Sequence, residues 1–437
     1  MARRDRQVDG NDQPGYPHKR ENFTPGRTGM GSRVGLGFIQ QTRLGSVGLK
    51  LTENETINLP TANPAKAKSY ERVKLVMSLV SMALNFVIPI LFLLLGGSEA
   101  IRNLAEGWTG SAPLIVVFYL LIAGAGLQAI EFPFEIFSGF IVEKKYGLSK
   151  ISIRGWLWDW LKGTMIQTVL TVVLISGIYW LLRSQPEMWW VWAAIGAVVL
   201  MIIMMALVPI VLMPLFYRFE PIPEGELKDR LFALADRIGT NVKGVYVWHL
   251  GDKSSKANAA VTGWGRTRRI IISDTLIESN TVEEIEVVIA HELGHHVRGD
   301  VWKMLVVQAA LVFISFFVID LALVAWIDAL GLRGIADIAG LPLVLIVGAC
   351  VSLVALPIAN WLSRKAETSA DMYALNLTGM KDDFISAMTK LGDQNLSQKQ
   401  PNAVVEFIFH SHPSIQHRID NANAWSTAGS EKLEKSQ

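Results

Sequence analysis

Six stretches of the chain are apolar for long enough to cross a bilayer, which takes roughly 20 residues at 1.5 Å rise. They run over 75–96, 113–133, 164–182, 189–212, 303–326 and 341–362 and are nearly free of charge. Each predicts a membrane helix. Between the fourth and fifth the pattern shortens and becomes mixed. PEGELKDRLFALADRIG (223–239) has apolar residues at helical spacing and stops at Gly239. VKGVYVW (242–248) and RRIIIS (268–273) read as strands, with the turn-like GWGRT (263–267) separating the second from ANAAV (257–261). TVEEIEVVIAHELGHH (281–296) opens with a capping box, Thr281 to Glu284, and continues as a helix.

The pattern divides the chain into six parts. A polar tail, 1–70, has no apolar signal-peptide core and reads as disordered. A membrane domain of four spans, 71–212, precedes a polar insertion, 213–302. A two-span membrane hairpin, 303–362, leads to a helical segment, 363–425, and a flexible end, 426–437. The connections 97–112, 183–188 and 327–340 carry one basic residue each: Arg102, Arg183 and Arg333. The opposite side is richer in Lys and Arg, including Lys144, Lys145, Lys150 and Arg154. Basic loops stay in the cytoplasm, so both termini and the insertion are expected there. Glu131 and Asp320 are the acidic exceptions within the spans, and each is expected to face protein, water or headgroups rather than lipid.

Composition agrees with a multi-pass membrane protein. Of the 437 residues, 51% are hydrophobic and only 18% charged, and mean hydropathy is +0.32. A net charge of +2 gives a nucleic-acid partner no support. The one cysteine, Cys350, excludes an internal disulfide and sits in an apolar run as a small hydrophobe.

The candidate chemistry lies in VVIAHELGHHVRGD (287–300). His291 and His295 are four residues apart, so both leave one helical face about a turn apart. That spacing suits two imidazoles on one zinc ion, with Glu292 beside the first as a general base. His296 points roughly 100° away and is expected to pack or to support. A catalytic zinc takes a third protein ligand and keeps a fourth position open. Arg298 and Trp302 stand where a third histidine of an extended motif would be, and the following residues form the fifth span. The hairpin returns the chain to the same side just before NWLSRKAETSADMYAL (360–375). There Glu367 is the expected third ligand, and Asp371, on the same face, orients a zinc histidine or assists proton transfer.

H-E-L-G-H at 291–295 with N-x-x-S-R-x-x-E-x-x-x-D at 360–371 resembles the integral-membrane zinc metalloproteases of the CAAX prenyl protease 1 family. FPFEIFSGFIVEKKYGLSKISIRGWLWDWLK (132–162), VLMPLFYRFEPIPEGELK (211–228), ANAAVTGWGRTRRIIISDTL (257–276) and HPSIQHRI (412–419) look like its other signature segments. The resemblance implies a mainly α membrane protein, about six transmembrane helices forming a chambered barrel, with a cytoplasmic zincin-like α+β metalloprotease domain. It implies that an extended substrate lies beside an edge strand at Asn258 and Ala259. It also implies that His412 helps bind substrate or the transition state, and that Arg364 and Arg418 support the site's carboxylates. Eukaryotic members carry a further span ahead of the one matching 75–96, where this chain has its polar tail.

The expected activity is hydrolysis of peptide bonds with one zinc per chain, on a membrane-associated or lipidated protein substrate. An HtpX-like quality-control protease would use the same zinc and base, although it would not account for 132–162. Two other classes are weaker. A transporter lacks charge pairs or a repeated half in the spans, and an inactive metal-binding scaffold would need a missing base or ligand.

Overall fold

The computed structural model describes residues 63–263 and 265–425. Most of the expected tail 1–70, and the expected flexible end 426–437, therefore lie outside the described residues. In chain order the helices are α1 Pro64–Leu94, α2 Gly97–Trp108, α3 Ala112–Ile136, α4 Val142–Lys145, α5 Ile153–Ser184, α6 Trp189–Leu207 and α7 Glu226–Arg237. They continue with α8 Asp274–Ser279, α9 Val282–Val297, α10 Asp300–Trp326, α11 Leu341–Thr378, α12 Lys381–Gln394, α13 Ala403–Phe409 and α14 Ile415–Ala424. Four strands, β1 Phe219–Pro221, β2 Gly244–Trp248, β3 Ala259–Thr262 and β4 Arg269–Ser273, complete the fold.

Among the described residues, six helical stretches are long and apolar enough to cross a membrane, and they coincide with the six expected spans. The chain is a multi-pass membrane protein. Helix α1 begins earlier than its apolar run, so residues 64–70 are helical rather than tail. Asn63 caps it by accepting from the amide of Ala65 at 2.9 Å, Pro64 fits the first turn, and Tyr70 is buried against Tyr146. Residues 97–108, expected as connection, form α2. Its Arg102 is buried and paired with Asp337 at 2.5 Å, while Ser98 bonds Tyr119 at 2.6 Å. Asp320 faces protein as expected, accepting from the Trp189 indole at 2.6 Å. Glu131 is half-buried.

The polar insertion builds a four-stranded sheet in the order β1-β2-β4-β3. β1 pairs antiparallel with β2, β2 parallel with β4, and β3 antiparallel with β4. β3 is therefore an edge, in register with Ala259 opposite Ile272 and Thr262 opposite Arg269. One sheet face and α7 bury Leu231, Leu234, Ile270 and Ile272 against Val287, Ile289 and Leu293 of α9. Burying each such side chain contributes about 1.5–3 kcal/mol, and this is what fixes α9 in place. The capping box forms as read: the Thr281 hydroxyl accepts from the Glu284 amide, and Glu284 accepts from the Thr281 amide at 2.9 Å. Ser386 and Lys390 of α12 also bond the Glu284 carboxylate.

One feature of α11 departs from the sequence division at 362/363. The sixth span and the segment carrying Glu367 and Asp371 are a single helix of 38 residues, roughly 57 Å long at 1.5 Å per residue. No glycine or proline interrupts the chain between Pro357 and Gly379, so nothing breaks the helix where hydropathy falls.

Candidate metal centre

Helices α9 and α11 pack closely because Gly294 has no side chain. A Cβ there would lie 3.0 Å from the Tyr373 ring, so any larger residue would press on that ring and on the helix that carries it. The close approach sets His291 and His295 opposite Glu367. His291 Nε2 stands 3.2 Å from His295 Nε2 and 3.3 Å from Glu367 Oε2, and His295 Nε2 is 3.4 Å from Glu367 Oε1. A tetrahedral ion with bonds of 2.0–2.1 Å holds its donor atoms about 3.3 Å apart; the two histidine nitrogens are near that spacing, each faces a different Glu367 oxygen, and one donor atom from each of the three residues falls within 4.8 Å of the others. Glu367 Oε2 is buried and has no partner in hydrogen-bonding geometry. The donor set and its spacing fit a metal ion such as zinc.

The outward nitrogens of both histidines meet carboxylates. His291 Nδ1 lies 2.8 Å from Asp371 Oδ1, and a carboxylate can only accept, so Nδ1 carries the proton and Nε2 turns its lone pair to the cluster. Asp371 is fully buried and also accepts from Arg418 Nε at 2.9 Å. His295 Nδ1 lies 3.3 Å from Asp300, which is itself held by Lys303 at 3.0 Å and Arg298 at 3.4 Å. Nothing in the sequence alone marks Asp300 for this role. The only signal was its place at the end of the motif, and the left-handed Gly299 (φ 67°) is what turns it back beneath His295. Burial disfavours a charged His291 ring. The carboxylates of Asp371 and Glu367 beside it outweigh that and raise its pKa to about 9, so this point of the pocket calls for positive charge.

A cavity of about 660 Å³ opens in front of the cluster and is lined by His291, Glu292, His295, Glu367, His412, Arg418, Asn258 and Ala259. Eight of the ten residues singled out in the sequence meet here. Asp371 lies directly behind, and burial pushes the Glu292 carboxyl above its usual range. No hydrogen bond or salt bridge from another described residue occupies the Glu292 carboxylate. His412 Nε2 reaches to 3.3 Å from Glu367 Oε1, and its Nδ1 is 2.9 Å from the Ser411 hydroxyl.

Arg364 is placed differently from the expectation. It donates to the carbonyls of Glu406, Phe407 and His410 at 3.0, 3.2 and 2.6 Å, not to a carboxylate. It closes the end of α13 and so anchors the segment bearing His412. His296, expected to pack or support, donates from Nε2 to the Val261 carbonyl at 2.9 Å, tying edge strand β3 to α9. Asn395 bonds both backbone groups of Ala257, at 3.0 and 3.2 Å, and fixes the approach to β3. An asparagine in a loop gave no sequence signal for this.

Residues 55–218 match the family described as the CAAX prenyl protease N-terminal domain, five membrane helices, and residues 221–426 match peptidase family M48. The chain is 30% identical over 306 residues to the CAAX prenyl protease 1 homolog of Oryza sativa subsp. japonica, covering 67% of this chain and 69% of that one. It is 27% identical over 362 residues to YhfN of Bacillus subtilis, an uncharacterized metalloprotease, covering 82% of this chain and 85% of the other. The crystal structure of S. mikatae Ste24p superposes with a TM-score of 0.75 at 23% identity, covering 82% of this chain and 89% of that chain. The shared architecture is thus of the Ste24p type.

Proposed function

Since the chain belongs to the CAAX prenyl protease 1 family of M48 peptidases, and is therefore a membrane metalloendopeptidase, we propose that it uses zinc to cleave the C-terminal residues from prenylated proteins. The observation that carries this reading is that His291, His295 and Glu367 bring one donor atom each within 4.8 Å of one another, with the Glu292 carboxylate beside them in one cavity. His291, His295 and Glu367 would hold the ion. Bound zinc supplies Lewis acidity, favouring a water nucleophile near neutral pH and polarising the scissile carbonyl.

The chain's own groups do the rest. Glu292 takes the proton of the attacking water and delivers it to the leaving amine, and its raised pKa suits a group that must both accept and release. His412, in contact with the Glu367 carboxylate, faces the cavity as a donor to the developing oxyanion. Asp371 and Asp300 orient His291 and His295, and Arg418 holds Asp371 in its charged form. The edge of β3 offers main-chain groups to an extended substrate next to Asn258 and Ala259. The basic loops support a cytoplasmic active site and termini.

Zinc content and cleavage of a prenylated C-terminal peptide and its unprenylated twin test the reading together. Wild type should hold about one zinc and cut the prenylated peptide. Glu292→Gln should keep the zinc and lose at least ~10²-fold in rate. A Glu292→Gln enzyme as fast as wild type removes Glu292 from the role of base. Equal cutting of both peptides leaves a metalloprotease without prenyl specificity.

A further inference from the structure

A second cavity, about 580 Å³, meets the first at His295. Its walls are Met201, Met204, Met205 and Met213 on one side, with Val261 and Thr262 of β3 on the other. Four of the chain's 14 methionines converge here. Their unbranched, polarizable side chains make a surface that adapts to a flexible apolar guest. The wall includes residues of a π-helical turn, Val208–Leu212, which continues α6 and contains Pro209. Arg268 borders the same space. Its Nε is buried without a hydrogen-bond partner, and among the described residues its side chain has no ion pair. A buried orphan donor marks where an acceptor is missing.

The edge strand gives the cavity a place along the substrate. The Asn258 carbonyl accepts from the Ser273 amide at 2.9 Å, so Asn258, Ala260 and Thr262 turn their main-chain groups to β4. Ala259 and Val261 turn theirs outward. His296 takes the Val261 carbonyl, which leaves the Ala259 carbonyl and the Val261 amide for a guest strand. Antiparallel pairing is the stronger mode, so a substrate passes Val261 before Ala259. Residues upstream of the scissile bond then lie toward Thr262 and the methionine cavity, and residues downstream toward Asn258.

Resting on the peptidase reading above, we infer that the methionine cavity receives the S-isoprenyl chain of the cysteine at which cleavage occurs, with Arg268 donating to a main-chain carbonyl upstream. Helix α6 is one of the long apolar helices, so the lipid chain reaches the cavity along the bilayer without crossing water.

The test uses full-length, zinc-loaded Glu292→Gln enzyme and a substrate peptide whose cysteine carries a photoreactive isoprenyl analogue. Adducts within residues 201–213 or at residues 261, 262 or 302 are the expected result. Adducts confined to a different membrane-level cavity, between Met77 and Phe86 of α1 and Leu345–Leu356 of α11, overturn the assignment. In the active enzyme, Met204→Trp and Met205→Trp should each lower the ratio of kcat/KM for prenylated over unprenylated peptide by roughly tenfold. A ratio unchanged in both variants, or a wild type that cuts both peptides alike, overturns it while the peptidase reading stands. A wild type that cuts neither, with adducts still on 201–213, keeps the cavity assignment and removes the peptidase reading.

Discussion

His291 and His295 each have a carboxylate behind the ring, and the two carboxylates differ in what else they hold. Asp371 is fully buried and neutralises Arg418 as well as orienting His291. Asp371→Asn leaves the Arg418 guanidinium buried without its counter-charge, so it should destabilise the protein by about 3 kcal/mol or more, read as a lower Tm, in addition to weakening metal binding. Asp300 is buried as well, but its partners Lys303 and Arg298 are exposed and can turn to water when its charge is removed. Asp300→Asn should lower zinc affinity by ~10–100-fold in a chelator competition while Tm stays near that of wild type. Equal Tm losses in the two variants would contradict this division. The ligand pair His291 and His295 and the base Glu292 were legible because their geometry is local to one helix. Asp300 was printed in the same motif but not legible in its role, because that depends on the turn at Gly299. Arg364 shows the converse: its motif position was recognisable, but its partners, the carbonyls of Glu406, Phe407 and His410, come from a segment whose path the sequence did not disclose.

At the scale of elements, the site is a junction of α9, α11, the β3 edge and the stretch from the end of α13 into α14 that brings His412 and Arg418. One tight joint is Gly294 against Tyr373. Gly294→Val forces a branched side chain into that contact and should cost about 1–3 kcal/mol. Because the same joint sets Glu367 against the histidines, zinc affinity should fall with Tm. A Gly294→Val protein that binds zinc as wild type does would show that the helices have room to adjust. Strong periodicity made α7, α9, β2 and β4 readable within a few residues. β1 was missed, since three residues ending in Pro221 carry no alternation to read. α2 reads as connection in the sequence because its length falls below that of a span and its charge, Arg102, looks like a loop residue until Asp337 is found beside it.

At the scale of the molecule, membrane and site share one rod. The six spans were written plainly in hydropathy, and the return of the chain to Glu367 followed from the hairpin. The unbroken course of α11 through 362 was not, because hydropathy changes there while helix propensity does not. Continuity makes the register strict. Inserting one alanine after Ser363 rotates everything beyond it by about 100° and carries Glu367 away from His291. Zinc binding should be lost although the protein still inserts in the membrane, as measured by metal content of the purified variant. Retained zinc would mean that the helix absorbs the insertion locally.

A rod that is gripped by lipid at one end and carries a metal ligand at the other is also a gauge. Where the hydrocarbon layer is thinner or thicker than the apolar part of α11, the helix accommodates by tilting, at a cost of fractions of a kcal/mol per Å. Tilt at the membrane becomes displacement at Glu367, about one and a half turns beyond the apolar segment. The enzyme should therefore work best in bilayers of one thickness, and lose metal affinity in lipids whose chains are several carbons shorter or longer. The membrane in which such a protein resides would then help decide where it is switched on.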